Sequence, residues 1–154
     1  MVVPKNLAIN EEIGEYQIPI EKLLSDKIDY SSVKTLDISR MKDEEFVLLN
    51  EDQHVRRMVD SIFEKAGFTP NVILQTSQTV TGLAMTLANM GISFVTETTI
   101  KYNNIKNHAY YYKVGADKDA VRTMCVAYKK GKYISKACRK FIDCLLYTSD
   151  AADE

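Results

Sequence analysis

The chain has 154 residues, of which 45% are hydrophobic and 27% are charged, and its formal net charge at pH 7 is -1. This composition is typical of one average globular domain or two small lobes, and no apolar run reaches the roughly 18 residues of a membrane helix. The charge argues against nucleic-acid binding by this chain alone, and three cysteines without C-x-x-C spacing, with no signal peptide at the start, predict a cytoplasmic protein.

The first forty residues carry a weak pattern. Met1 to Pro4 form a short apolar run that predicts a strand. Residues 10–39 are irregular, except that Leu36 to Ile38 predict an extended segment, which a single helical turn follows. The run I-P-I-E-K-L-L at residues 18–24 is consistent with either a short helix or a strand, and residues 29–34 predict a surface loop.

A sharper alternation of strands and helices begins at residue 46. Phe46 to Leu49 predict a buried strand, and an apolar repeat of helical period runs from Val55 to Ala66, where Gly67 ends it. A second β-branched apolar run, N-V-I-L-Q, follows Pro70 and predicts a second strand. Since a helix separates these two strands, we expect them to be parallel.

A second helix and a third strand continue this pattern to residue 96. We expect Ser77 to cap the helix and Gly91 to end it in the left-handed conformation, and Ile92 to Val95 predict a buried strand. The resulting β-α-β-α-β order predicts an α/β sheet covered by helices on both faces. The apolar face of the helix is defined by Val80, Leu83, Ala84, Leu87 and Ala88.

The remainder of the chain predicts a polar loop over residues 98–107, followed by two strands. These strands are His108 to Val114 and Val121 to Tyr128. A closing amphipathic helix is predicted from Ile134, with Ser135 near its start. The sequence C-L-L-Y-T-S-D-A-A-D-E at residues 144–154 resembles the translation of a transposase adapter end used in sequencing libraries, so we expect an artefactual tail there.

Polar residues follow each of the three predicted strands at its carboxyl end, which is where open α/β sheets bind ligands. The second group opens a helix, whose free N–H groups and positive dipole end favour an anion such as a small carboxylate. The alternative interpretation is that Ser77 and Thr79 only cap the helix. The three loops are Asn50 to Gln53 after the first strand, Thr76 to Thr79 after the second, and Thr96 to Thr98 after the third.

Motifs for catalysis or metal binding are absent from the sequence. His54 and His108 are the only histidines, and neither has the partners of a metal site, so we interpret His54 as a surface residue. Cys125 in a predicted strand and Cys138 on a predicted apolar helix face are expected to be buried apolar residues rather than redox groups. These features favour a binding protein without catalytic, metal or cofactor sites.

Several segments together resemble the effector-binding domain of LysR-type transcriptional regulators. The resemblance covers nearly all of residues 1–143, and the order and spacing of the segments make it specific. The segments are M-V-V-P-K-N-L-A-I-N-E, F-V-L-L-N-E-D-Q-H-V-R-R-M-V-D-S-I-F-E-K-A-G-F-T-P-N-V, S-Q-T-V-T-G-L-A-M-T-L-A-N-M-G-I-S-F-V-T-E and V-R-T-M-C-V-A-Y-K-K-G-K-Y-I-S-K-A-C-R-K-F-I-D.

This resemblance implies an α/β fold like that of type 2 periplasmic binding proteins, with a Rossmann-like lobe, a parallel or mixed sheet and part of a second lobe. The family's effector contacts in the second lobe carry over to seven candidate residues, although family members often have proline where the last of them stands. These residues are Asn50, Glu51 and Asp52 after one strand, Ser77, Gln78 and Thr79 at the helix start, and Thr96 after the next strand. The implied division is residues 1–13 as a crossover strand and partial first lobe, 14–102 as the second lobe, 103–143 as the return to the first lobe, and 144–154 as the tail.

The resemblance also implies partners. A small, anionic effector would bind in the cleft between the lobes, and the intact protein would form a homo-oligomer that reaches DNA through an N-terminal helix-turn-helix that this sequence lacks. No membrane contact and no enzymatic activity are expected. The alternative is a solute-binding protein or a small α/β enzyme of similar lobed architecture, for which Glu51, Asp52, His54 and Glu97 would be the only acid–base candidates.

Overall fold

A computed structural model of the chain describes residues 1–25, 28–103, 108–115, 125–129, 131 and 133–150. The chain divides into two compact units, Met1–Ala120 and Val121–Glu154. The strands are β1 (Val2–Pro4), β2 (Thr35–Leu36), β3 (Glu45–Leu49), β4 (Asn71–Thr76), β5 (Ala109–Tyr111) and β6 (Lys113–Val114). The α-helices are α1 (Ile9–Ile13), α2 (Ile20–Leu24), α3 (His54–Ala66), α4 (Thr79–Leu87), α5 (Glu97–Tyr102) and α6 (Lys136–Asp150).

The first unit is built on a mixed sheet. β3 pairs in parallel with β4, and on its other side Phe46 makes a parallel bridge to Ile92. Ser93 then makes an antiparallel bridge to Val2 in β1, and β1 pairs antiparallel with β5. The backbone order is therefore β4, β3, Ile92–Ser93, β1, β5, while β2 and β6 form a separate parallel pair. The predicted α/β fold with parallel strands is confirmed.

Helix α3 follows the sequence prediction closely. It begins at His54 and ends at Ala66, and Gly67 takes the left-handed conformation with φ of 75°. The Gly67 N–H donates to the carbonyl of Glu64 at 3.1 Å, which satisfies one of the free carbonyls at the helix end. The apolar repeat and the glycine stop were sufficient to define this element.

The boundaries predicted for the second helix were wrong at both ends. α4 begins at Thr79 with Gln78 rather than Ser77 as its N-cap, and no side chain caps it. The left-handed residue after the helix is Asn89, with φ of 62°. Gly91 serves packing instead, since a Cβ there would lie 3.0 Å from the Glu45 carbonyl oxygen of the neighbouring strand.

Three further expectations were also wrong. The third predicted strand, Ile92 to Val95, pairs only through bridges at its first two residues, because the chain leaves the sheet to enter α5. The loop predicted for residues 98–107 is helical as far as Tyr102, while residues 104–107 lie outside the described part. Cys125 and Cys138 are exposed, and residues 125–129 form no strand; residues 121–124 are outside the described ones.

The predicted strands at residues 1–4 and 108–114 and the predicted closing helix agree with the structure. Met1 to Pro4 do include a strand, and His108 to Val114 contain β5 and β6. In the second unit, α6 begins at Lys136, where the Ser135 hydroxyl accepts a hydrogen bond from the Cys138 N–H at 3.2 Å. No helix in the described ranges is long and apolar enough to cross a membrane.

Two hydrophobic clusters cover the sheet of the first unit. We call them the Phe46 cluster and the Leu83 cluster. Neighbouring residues of one strand enter different clusters, so the clusters lie on opposite faces of the sheet. The Phe46 cluster contains Val3, Ile13, Leu36, Ile38, Met41, Phe46, Leu48, Val59, Ile62, Phe63, Ile92, Tyr112 and Val114. The Leu83 cluster contains Val2, Ile18, Leu23, Leu83, Ile100, Ala109 and Tyr111.

Candidate functional site

A narrow cleft opens at the carboxyl ends of β3 and β4, between the first turns of α3 and α4. Its free volume is about 10 Å³, which is room for about one water molecule. This position matches the general rule that ligands of α/β sheets lie outside the carboxyl ends of the strands. The lining residues are Val47, Leu48, Leu49, Val55, Arg56, Val59, Thr76, Thr79, Gly82, Ser93 and Phe94.

Parallel pairing places the first two polar loops side by side. Leu49 and Thr76 are paired in the ladder, and the Asn50 N–H donates to the Thr76 carbonyl at 2.9 Å. The loops touch again through Gln53, whose side-chain amide donates to the Ser77 carbonyl at 3.4 Å. Residues that are far apart in sequence therefore share one rim of the cleft.

The first turn of α4 presents unused donors at this rim. Its N-cap, Gln78, has no side-chain cap hydrogen bond, and the Gln78 N–H itself donates to the Thr76 hydroxyl at 3.3 Å. Thr79 is the first helical residue and lines the cleft. The backbone N–H groups of the first turn and the positive end of the helix dipole both favour a negative charge here.

Arg56, which sequence reasoning overlooked, is the charged group of the cleft. Its side chain is only 9% exposed. Nε donates to the Asp60 carboxylate at 2.7 Å, and Nη1 donates to the Leu49 carbonyl at 2.7 Å. A signal was present in the sequence, because Arg56 shares a helix face with Val59 and Phe63, and a charge on an apolar face needs a partner.

The wall opposite α3 is held by a pair of buried hydroxyl groups. Ser93 lines the cleft and is 2% exposed, and its Oγ lies 2.7 Å from the Thr86 hydroxyl of α4. Thr86 also reaches the Gly82 carbonyl at 3.3 Å. This contact ties α4 to the central strand segment and keeps a polar atom beside the cleft.

The seven residues predicted from the sequence have different positions relative to the cleft. Thr79 is the one that lines it, while Asn50, Ser77 and Gln78 lie in the two loops at its rim. Glu51 and Asp52 are exposed, and one Glu51 oxygen lies 4.0 Å from Nη2 of Arg56. Whether these residues contact an effector stays a prediction.

Thr96 has a structural task of its own. It is the N-cap of α5, and its hydroxyl accepts a hydrogen bond from the Thr99 N–H at 3.3 Å and lies 3.0 Å from the Thr99 hydroxyl. The adjacent Glu97 pairs with Lys101 at 2.6 Å and accepts from the Tyr30 hydroxyl. Thr96 is not among the residues that line the cleft.

Metal binding finds no support in the described ranges, where no three histidine, cysteine, aspartate or glutamate side chains come together. His54 lines a shallow surface groove on α3 with Arg57, Met58 and Ser61. The chemistry available in the cleft is therefore hydrogen bonding and charge, supplied by hydroxyl groups, backbone N–H groups and one guanidinium.

Comparisons with known proteins identify relatives of this chain. It is 23% identical over 112 residues to the uncharacterized HTH-type transcriptional regulator YybE of Bacillus subtilis (strain 168), covering 72% of this chain and 37% of that protein. The chain thus spans well under half the length of this curated relative.

A solved structure of a LysR-type regulator shares the fold of this chain. HinK, a LysR family transcriptional regulator from Pseudomonas aeruginosa, matches with a TM-score of 0.52 and 19% identity, over 92% of this chain and 41% of that one. The effector binding domain of QuiR, solved in complex with shikimate, matches with a TM-score of 0.49 and 16% identity, over 92% of this chain and 56% of that one.

A family model describes most of the chain directly. The LysR substrate binding domain matches residues 25–149. The match runs into residues 144–149, which α6 also includes, so the origin of that tail stays a prediction. This match is consistent with the type 2 periplasmic-binding-protein-like architecture and with the order of the segments in the sequence. The chain belongs to the LysR substrate-binding domain family.

Proposed function

We propose that this chain senses a small, anionic metabolite for a LysR-type transcriptional regulator, and that the anionic group is held at the cleft between α3 and α4. The observation that carries the proposal is the position of Arg56, a nearly buried cation that lines a cleft at the carboxyl ends of two parallel strands. Family membership favours this function over a solute-binding protein or an enzyme.

The chemistry of the cleft suits a carboxylate. A guanidinium makes charge-assisted hydrogen bonds with carboxylate oxygens, and these bonds are about twice as strong as neutral ones. Thr79 adds a hydroxyl group and the first N–H groups of α4. Because the cleft has room for about one water molecule, only the charged head of a metabolite would enter, and its body would remain at the mouth.

In the intact regulator the remaining contacts would come from the first lobe, across an interlobe cleft. Effector binding would shift the equilibrium between lobe arrangements, and that shift would reposition DNA-binding domains in a homo-oligomer. The helix-turn-helix that contacts DNA lies outside the sequence of this chain. Such a regulator works in the cytoplasm and needs no cofactor.

Binding of a minimal anion tests the proposal. Benzoate and its neutral isostere benzamide are titrated into the ¹⁵N-labelled chain, and backbone amide shifts are followed by NMR. We expect benzoate to shift the amides of Thr76, Thr79, Ser93 and Phe94 in a saturable manner, and benzamide to leave them unchanged. Equal responses to both compounds, or benzoate shifts confined to another surface, would overturn the proposal.

The Thr79→Val substitution sharpens this test, because it removes the hydroxyl group while keeping the shape of the side chain. We expect benzoate affinity to fall roughly tenfold or more, because a lost hydrogen bond to a charged group costs about 1.5–3 kcal/mol. Thr81→Val is the matched control, since Thr81 lies in the same helix but does not line the cleft. An equal loss in both variants would point to a general effect on α4.

A further inference from the structure

We propose that Glu51 acts as an internal competitor for the effector's anion, a role that rests on the proposed function of the cleft. Glu51 lies in the loop directly after β3, and one of its carboxylate oxygens lies 4.0 Å from Nη2 of Arg56. Without effector, Glu51 makes a weak ionic interaction with the Arg56 guanidinium, and the carboxylate of an incoming effector replaces it.

Among the described residues, the contacts of Arg56 leave one amino group, Nη2, without a hydrogen bond. Nε is taken by Asp60 and Nη1 by the Leu49 carbonyl, both at 2.7 Å. Nη2 lies 4.0 Å from the nearest Glu51 oxygen, which is beyond hydrogen-bond distance. A guanidinium has five N–H donors in a planar fork, so the Nη2 edge remains able to receive an oxygen acceptor.

Burial makes this free edge significant. The Arg56 side chain is 9% exposed, and a cation in such a position is stabilised by every acceptor it gains. Asp60 offsets the charge on the Nε side, which anchors the group within α3 and fixes its orientation. Arg56 is one of the residues that line the cleft, where a carboxylate can make charge-assisted hydrogen bonds with it.

Glu51 is suited to temporary occupancy. Its side chain is 78% exposed, so water screens its attraction for Arg56 and the pair contributes little to stability. Glu51 therefore leaves at small cost when an effector arrives. Glu51 also makes the site selective for anions. A negatively charged ligand replaces the charge of Glu51 beside Arg56, whereas a neutral ligand would displace Glu51 without replacing its charge.

The test compares Glu51→Gln with the unmodified chain in the same benzoate titration, with the Arg56 side-chain Nε–H resonance as a second readout. We expect the variant to bind benzoate about two- to fivefold more tightly, the range of an exposed ion pair, and the gain to shrink at high salt. Glu64→Gln is the matched control, because it removes the same charge from an exposed position at the far end of α3.

Arg56→Lys keeps the positive charge but loses the planar fork, and we expect benzoate affinity to fall about tenfold or more. Circular dichroism of the variant separates this loss from partial unfolding. If Glu51→Gln binds as tightly as or more weakly than the unmodified chain, the competitor role is overturned while the proposed function stands. If neither the unmodified chain nor Glu51→Gln binds benzoate, the proposed function fails, and the inference fails with it.

Discussion

The Phe46 cluster and the Leu83 cluster lie on opposite faces of one sheet, and each fixes one of the helices that flank the cleft. α3 packs into the Phe46 cluster through Val59, Ile62 and Phe63. α4 packs into the Leu83 cluster through Leu83 itself, with Leu87 partly buried against it. The candidate site therefore forms where helices from the two faces bring their first turns to one edge of the sheet.

The two clusters differ in chemistry. Phe46 contacts the rings of Phe63 at 5.1 Å and Phe94 at 6.3 Å between centroids, whereas the members of the Leu83 cluster are mostly aliphatic. The two clusters also differ in the hydrogen bonding of a tyrosine hydroxyl group. Tyr112 on the Phe46 face donates to Asn10 at 3.0 Å, while the hydroxyl of Tyr111 on the Leu83 face has no hydrogen-bond partner among the described residues.

The largest expected effect is the loss of stability when a core side chain of either cluster is truncated to alanine. We expect Phe46→Ala to lower the free energy of unfolding by about 4–5 kcal/mol and Leu83→Ala by about 3 kcal/mol, because the phenylalanine also loses aromatic pairs. Both residues are at most 1% exposed, so the comparison is matched for burial. Urea denaturation measures the two values. Equal losses would mean that the aromatic contacts contribute no stability beyond that of burying apolar surface area.

A pH dependence probes β1, which contributes to both clusters. Burial lowers the pKa of the Met1 amine to about 5, and the amine donates to the Tyr112 carbonyl at 2.9 Å. The unfolded chain, with an ordinary pKa near 8, binds more protons between these values, so stability rises with pH from about 5 to 8, by up to about 4 kcal/mol. Denaturation midpoints across this range measure the slope.

Acetylation of the Met1 amine is the control for the pH experiment. It removes the titrating group while keeping an N–H that can donate to Tyr112, so this part of the slope should disappear. An unchanged slope in the acetylated chain would assign the pH dependence to other groups and leave β1 without a role in it.

The smallest effect has opposite signs on the two faces. Tyr112→Phe should destabilise the chain by about 1 kcal/mol, because the buried Oδ1 of Asn10 loses the hydroxyl group that donates a hydrogen bond to it. Tyr111→Phe should be neutral or stabilising, since it removes a buried hydroxyl that has no partner among the described residues. Thermal denaturation compares the variants. Destabilisation by Tyr111→Phe would indicate that a bound water or ligand satisfies this hydroxyl.

Periodicity predicted the parts of the fold in which one strong local pattern acts alone. α3 was predicted because a long apolar repeat lies within the element and a glycine stop directly follows it. The predictions failed at Gly91, whose conformation depends on the carbonyl of Glu45 some fifty residues earlier in the chain, and at Cys125 and Cys138, whose exposure depends on packing rather than on local pattern.

The site was predicted only in outline. The rule for parallel sheets led to the loops after β3 and β4, and Thr79 does line the cleft between them. Arg56 was overlooked because a charged residue inside a helix is most often solvated, and only its contacts with Leu49 and Asp60 show it to be buried. Which loop residues touch an effector depends on distances that sequence spacing does not contain.

By itself, the sequence determined the alternation of strands and helices, the parallel pairing of β3 with β4, and the edge of the sheet where polar residues gather. These follow from local periodicity and from the geometry of a β-α-β connection. Only the tertiary structure decided that Arg56 is buried in the cleft, that Glu51 approaches it, and that Thr96 caps a helix. Burial and contact arise between residues that are distant in the chain, so no local pattern encodes them.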